Sequence, residues 1–288
     1  MHSAKRTTLG VTKLALPIVA LSFLLFASIR TQLSPTRNDV HIDPSTVFLA
    51  EGSQDFSIAV LSDMHIRNNE GSYRQLEEVV EDILESKPDL LVILGDFTSE
   101  ISRADLKEAH RRQVAEKLKP AAQLQHAIVL GNHDYWDNGA EWRAVLSQNG
   151  LRLLKNEVIE LPVAGQATCL RGLGDFYSKN YKRTEFSQKC ASKTKITITH
   201  DPAAAFQKDV SGFVLAGHTH CGQIALPFLG ALWAPTEAPR EAWCGLFRDT
   251  ERAVWTTSGI GTSILPVRFE APSQWDLLHI SRQKVRDE

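Results

Sequence analysis

Cysteine is scarce in this chain, four among 288 residues, and no two stand in a C-x-x-C pair. That spacing excludes a zinc ribbon and a thioredoxin-like redox motif. Charge of one sign is missing as well: 32 Lys and Arg against 34 Asp and Glu leave a formal charge of -2 and a pI near 6.6. Without a basic footprint, polyanion binding is disfavoured and no nucleic-acid partner is expected. No internal repeat or low-complexity block appears, and 43% apolar residues suffice for the core of one large domain.

Long apolar runs are also rare, and the one near the start is the uncharged stretch Leu14 to Ile29, bracketed by Lys13 and Arg30. As a helix it spans about 24 Å, slightly short of a bilayer of about 30 Å unless Thr31 to Leu33 and a snorkelling Arg30 extend it. A cleaved signal peptide is the competing reading, but the run exceeds the usual length and Phe26-Ala27-Ser28 is a weak cleavage site. The expectation is a short tail (1–13), an uncleaved transmembrane anchor (14–30), a tether (31–50), one globular domain (51–282) and a C-terminal tail (283–288). Lys5, Arg6 and Lys13 outnumber Arg30 and Arg37 by one charge, which leans towards a membrane-anchored domain outside the cytoplasm. Outside the cytoplasm, Cys169, Cys190, Cys221 and Cys244 could form one or two disulfides, with three full connectivities open.

Within the domain, periodicity alternates. Val47 to Glu51 is a candidate edge strand after the tether. Ser72 and Gln75 read as a capping box opening a helix whose apolar face is Leu76, Val79, Val80, Ile83 and Leu84, ended by Pro88. Strand Leu90 to Leu94 follows, then a helix from Ser102 to Lys119 whose Arg111, Arg112, Lys117 and Lys119 read as a solvated face. Strand Ala127 to Leu130 precedes a short helix around Trp142, Val145 and Leu146 that stops at Asn149-Gly150. The first half is thus β-α-β-α-β-α. Shorter runs, Val158 to Leu161, Ala167 to Leu170, Ile196 to Thr199, Phe213 to Ala216, Ala253 to Thr257 and Trp275 to Ile280, predict a second sheet.

The chemistry lies at the strand ends. IAVLSDMH ends in Asp63 and His65, LVILGDF in Asp96, AIVLGNHD in Asn132, His133 and Asp134, ITITHD in His200, and FVLAGHTH in His218 and His220. Parallel α/β sheets bind ligands beyond the carboxyl ends of their strands. A carboxylate there must be paired, protonated or bound to metal. One such strand end is more often a cap, but five ending in Asp, His and Asn point to a metal site. His41, His110, His126 and His279 lie outside every motif and read as structural.

Set in order, D-x-H, G-D, G-N-H-D, a lone histidine and G-H-T-H resemble the calcineurin-like metallophosphoesterase superfamily over roughly Phe56 to Ile280. The resemblance implies two packed mixed β-sheets flanked by helices, here preceded by one transmembrane helix. It also implies a phosphoester hydrolase with two divalent metal ions. Asp63, His65 and His220 would hold one ion and Asn132, His200 and His218 the other, with Asp96 bridging. Such ligands suit Mn, Fe or Zn. Hydroxide between the ions would attack phosphorus with no protein nucleophile. His133 would help the leaving group depart, with Asp134 orienting it. Cys221 stands where many relatives have glycine and reads as a small buried thiol.

The segments GHTHCGQIALP and GIGTSILPVRF narrow the resemblance to a membrane-anchored, YaeI-like phosphodiesterase branch, some members of which act on the UDP-diacylglucosamine intermediate of lipid A synthesis. That implies a phosphodiester, phosphomonoester or pyrophosphate substrate, lipid-linked in one version. The run Ile224 to Pro235, with Leu226, Phe228, Leu229, Leu232 and Trp233, is then either a lipid contact or ordinary core. Arg240 and Arg268 are candidates for gripping substrate phosphate, against the commoner role of surface ion pairs. The alternative function is a non-catalytic metal-binding scaffold on the same fold, as in the retromer subunit.

Overall fold

The computed structural model describes residues 33–49, 54–99 and 104–282. The expected anchor, Leu14 to Ile29, lies outside the described residues; among those described, no helix is long and apolar enough to cross a membrane.

Strands β1 (Thr36–Ile42), β2 (Phe56–Leu61), β3 (Leu90–Ile93), β4 (His126–Ile128) and β13 (Gln274–Ile280) form a mixed sheet in the order β1-β13-β2-β3-β4. Helices α1 (Glu70–Ser86) and α2 (Ala104–Leu118) connect its parallel β2, β3 and β4, and α3 (Asn132–Gln148) follows β4. The second mixed sheet contains β5 (Glu157–Val163), β6 (Gln166–Gly172), β7 (Thr194–Ile198), β8 (Gly212–Ala216), β11 (Gly245–Arg248) and β12 (Arg252–Thr256), in the order β11-β12-β8-β7-β6-β5. A two-stranded ribbon, β9 (Ala225–Leu226) with β10 (Gly230–Ala231), stands apart from both.

The side-chain period of two explains how the layers stack. In β3 and just after it, Leu91 and Ile93 face the helices, where they meet Leu76, Val80, Val114 and Trp142. Leu90, Val92 and Leu94 face the other sheet and meet Leu170, Ile196, Ile198, Phe213 and Leu215. Both faces of β3 are dry, which is why its sequence is an unbroken apolar run.

Several local expectations change. Trp275 to Ile280 joins the first sheet, antiparallel to β2 and parallel to β1, while Gly245–Arg248 supplies the outer strand of the second. The outermost strand of the first sheet is Thr36–Ile42, inside the segment read as a tether, and Pro44–Val47 is a 3-10 turn. Only Ile42 of β1 is buried, so its polar sequence carries no apolar alternation, and charge on an edge strand is a protection against edge-to-edge pairing. Helix α1 starts earlier than expected: Asn69 is its cap, accepting from Ser72 N–H at 3.0 Å. Arg111 is buried and bonded to Asp137 at 2.8 Å, and Lys117 pairs with Glu77, so that face of α2 is not merely solvated. All four cysteines are paired, Cys169 with Cys190 and Cys221 with Cys244, which corrects the reading of Cys221 as a thiol.

Trp142 is fully buried and stacks on Phe97 with ring centroids 4.8 Å apart, directly behind the loop that carries Asp96. Trp142→Ala is expected to cost about 3–5 kcal/mol in urea unfolding and Trp142→Phe clearly less; equal, small losses would show that this packing is dispensable.

Candidate metal centre

The loops after β2, β3 and β4 of one sheet and after β7 and β8 of the other converge at one edge of the sandwich. They bring Asp63, His65, Asp96, Asn132, His200, His218 and His220 into one buried cluster. Ligand atoms of Asp63, His65 and His220 lie within 4.8 Å of one another, as do those of Asp96, His200 and His218, and those of His65, Asp96 and His133. Asp96 stands where the groups meet, its Oδ2 3.5 Å from His65 Nε2 and 3.3 Å from His200 Nε2. Asn132 Oδ1 is 3.2 Å from His200 Nε2.

Each carboxylate divides its oxygens. Asp63 Oδ2 accepts from Ser62 Oγ at 2.6 Å and His218 N–H at 2.9 Å, while Oδ1 is buried without a hydrogen-bond partner. Asp96 Oδ1 accepts from His133 N–H at 2.9 Å, at the positive end of α3, leaving Oδ2 turned inward. The histidines are aimed similarly. His200 donates from Nδ1 to Leu94 O at 2.6 Å, and His218 from Nε2 to Pro235 O at 2.7 Å, so each presents its other nitrogen to the cluster.

The backbone is strained to achieve this. Asp63, His65, Asp96, His218 and His220 have φ of 50°, 42°, 55°, 68° and 52°. Such left-handed residues cost about 1–3 kcal/mol each and persist only where the surroundings over-determine them. Here loop-to-loop bonds do so, from Asp63 N to Gly95 O (3.0 Å) and from His65 N to Asp96 O (3.0 Å). Two motif glycines answer to close approach: a Cβ on Gly131 would lie 2.2 Å from Asp96 Oδ1, and one on Gly217 2.1 Å from Ser62 Oγ.

Burial, helped by the surrounding imidazoles, holds His65 down to about 4. Burial, with the His65 imidazole and the Arg268 guanidinium beside it, puts His220 well below its ordinary range, so His65 and His220 are neutral near pH 7. Burial opposes ionisation of Asp96, yet His200, His65 and His133 keep its carboxyl below the usual range. The orphaned Asp63 Oδ1, with an ionised Asp96 and converging imidazole nitrogens, fits divalent cations of the borderline class.

Three expected roles are placed differently. The Asp134 carboxylate accepts from the backbone N–H groups of Asp96 (2.8 Å), Phe97 (2.9 Å) and Gly131 (2.8 Å), so it ties the Asp96 loop to α3 instead of orienting His133. Arg268 is fully buried; its guanidinium serves the carbonyls of Ser258, Gly259, Gly261, Ala271 and Pro272 and lies 3.0 Å from His220 Nδ1, leaving it unavailable to substrate phosphate. Arg240 is exposed, donates to Leu229 O and lies outside the cleft lining. His110 and His126 are structural, His110 bonded to Tyr73 and Ile66 O, His126 to Leu124 O.

His133 stands at the junction of two cavities. One, about 430 Å³, runs from Asp96, His218 and His220 to an apolar wall of Ile224, Trp233, Ile264 and Leu265. The other, about 310 Å³, is lined by Thr98, Ser99, Lys107, Arg111 and Asp137; both share Trp136. Trp136, missed in the sequence reading, stands three residues beyond His133 on the same helix, a spacing that could have found it. Tyr177, whose ring lies 4.8 Å from that of His218, carries no sequence signal.

Because Asp134 acts on the loop and not on substrate, Asp134→Ala should lower metal affinity about 10- to 100-fold, with an intact circular-dichroism spectrum. Metal titration matching the unaltered protein would remove that role.

The calcineurin-like phosphoesterase family model matches residues 56–222. The uncharacterized metallophosphoesterase YkuE of Bacillus subtilis is 29% identical over 77% of this chain and 78% of its own length. Phosphodiesterase YaeI of Escherichia coli is 25% identical over 75% of this chain and 78% of its own. A transmembrane protein with metallophosphoesterase domain from Danio rerio is 30% identical over 91% of this chain, which spans 61% of that protein's length. With five motif-bearing strand ends gathered around one buried Asp-His cluster and the matched region covering most of the domain, the chain belongs to the calcineurin-like phosphoesterase family of metal-dependent phosphoester hydrolases.

Proposed function

We propose that the protein is a two-metal-ion phosphodiesterase acting on a lipid-linked ester, anchored to a membrane by Leu14 to Ile29. One observation carries the diester reading: two cavities of unlike character meet at His133, beside the metal cluster. A phosphodiester or pyrophosphate has a substituent on each side of the reacting phosphorus, whereas a monoester would leave one cavity idle. The apolar wall of Ile224, Trp233, Ile264 and Leu265 suits an acyl-bearing substituent, and the Lys107 and Arg111 side suits a polar one. The relative named phosphodiesterase YaeI and the relative named a transmembrane protein agree with this reading.

Asp63, His65 and His220 would hold one ion, Asn132, His200 and His218 the other, and Asp96 both. When bound, such a pair lowers the pKa of water and neutralises charge on the phosphoryl oxygens. This chain's own residues do the rest. Asp63 and Asp96, fixed by main-chain N–H groups, keep the site rigid. His133, half-buried at the junction of the cavities with its ring edge-on to His65 at 4.8 Å, delivers a proton to the departing oxygen. Trp136 and Tyr177, their rings 6.0 Å apart, flank the mouth of the cleft.

The purified protein, stripped with chelator and reloaded, should hydrolyse bis(p-nitrophenyl) phosphate at least tenfold faster than p-nitrophenyl phosphate. Silence with Mn, Fe, Zn and Mg alike would favour a scaffold. Asp96→Ala should lose metal at both sites by elemental analysis. His133→Ala should keep both ions and lose about 10² to 10⁴ in rate on alkyl esters but less on nitrophenyl esters, whose leaving group needs little protonation; equal losses would remove the acid role.

A further inference from the structure

The large apolar side chains of the run Ile224 to Pro235 are not core, although Ala225 and Ala234 are buried at its base. Phe228 is 108% exposed and Trp233 65%, and Leu229 and Leu232 stand out beside them. A second loop, within the GIGTSILPVRF segment but not expected to be exposed, joins it: Ile264 is 86% exposed and Leu265 is exposed too. Neither Ile224 to Pro235 nor Gly259 to Val267 contains a charged residue.

Gln223 stitches the loops together. Its Oε1 accepts from Ser263 N–H at 2.8 Å, its Nε2 donates to Leu265 O at 2.8 Å, and its carbonyl accepts from Phe269 N–H at 3.0 Å. Ala225 N–H closes the set on Phe269 O at 2.8 Å. The apolar tips therefore stand on a fixed base. That base is continuous with the metal centre: His220 lies three residues before Gln223, Cys221 is disulfide-bonded to Cys244, and Arg268 of the second loop backs His220.

What covers this face is indicated by where the chain comes from. Leu33, the first described residue, shares a cavity with Gly261, Thr262 and Pro266, at the foot of the second loop, and its carbonyl is 3.5 Å from Gln75 Nε2. The uncharged run ends at Ile29, and four residues reach at most about 14 Å. Whatever receives Leu14 to Ile29 is thus brought close to Ile264 and Leu265. A bilayer is the surface that accepts both an uncharged run of that length and a charge-free cluster of Phe, Leu, Ile and Trp.

We propose that the two loops, 224–233 and 262–266, form a docking face that enters the same leaflet as the N-terminal run and sets the mouth of the metal cleft down on the bilayer. Ile224, Trp233, Ile264 and Leu265 then line a passage from the acyl layer to the cluster, and a lipid phosphoester need not leave the membrane. This deepens the lipid-linked reading and rests on it only for the activity readout below.

The full-length chain in vesicles of phosphatidylcholine and phosphatidylglycerol tests it. Tryptophan fluorescence should be quenched by lipids brominated on the acyl chains, and Trp233→Ser should lose at least half of that quenching. Phe228→Glu with Leu229→Glu, both at exposed tips away from the cleft lining, should keep the melting temperature and hydrolysis of bis(p-nitrophenyl) phosphate within twofold. That variant should turn over a vesicle-embedded nitrophenyl phosphodiester of diacylglycerol at least tenfold more slowly. Equal quenching of wild type and Trp233→Ser would overturn docking even if both esters are cleaved. A patch-dependent cross-linked dimer in the vesicles would overturn it in favour of a second copy. Quenching that behaves as expected with no ester cleaved would leave docking standing and sink the enzymatic reading instead.

Discussion

Two buried carboxylates set the terms for this fold. Asp63 and Asp96 are removed from water, and each has one oxygen tied to a main-chain N–H while the other faces the cluster. An ionised carboxylate in such a place is tolerable only if its charge is met. The tied oxygen is met by the ends of other loops, so pairing also fixes loop position. His218 N–H on Asp63 joins the second sheet to the first, and His133 N–H on Asp96 joins α3 to β3. The inward oxygens remain for cations.

The same economy governs the next layer out. Asp134 spends its carboxylate on three N–H groups of two loops, and Arg268 spends its guanidinium on a ring of carbonyls behind His220. Neither lines the cleft, yet each holds a left-handed candidate ligand in place. Strained backbone and saturated supporting hydrogen bonds therefore occur together. Preorganisation of this kind lets ligands bind without first ordering the loops.

From the cluster outward, polarity changes quickly. Within one cleft the lining passes from Asp96 and the histidines to Ile224, Trp233, Ile264 and Leu265. Phosphate chemistry suits the first environment and apolar groups the second, and the proposed lipid-linked substrate would use both. The second cavity, which also reaches His133, has the charged residues Lys107, Arg111 and Asp137 in its lining.

Much of this was written in the sequence. Every strand that delivers a candidate ligand was legible, because a buried strand must be an apolar run and its end must break that run with glycine, Asp, Asn or His. The glycines were legible for the same reason, since only they allow loops to approach within van der Waals contact of Asp96 and Ser62. Partnership was not legible. The roles of Arg268 and Asp134, the pairing of Cys221 with Cys244, the edge position of Thr36–Ile42 and the place of β13 depend on residues far away in sequence. Period and composition register only neighbours along the chain. Exposure of the Ile224 to Pro235 run belongs with these. An apolar segment reads the same whether its neighbours cover it or not, and only the packed sheets decided that they do not. The sequence determined which residues would be brought together as candidate ligands; the tertiary structure decided which oxygens stay free and which apolar side chains meet the outside, because both depend on what the rest of the fold leaves uncovered.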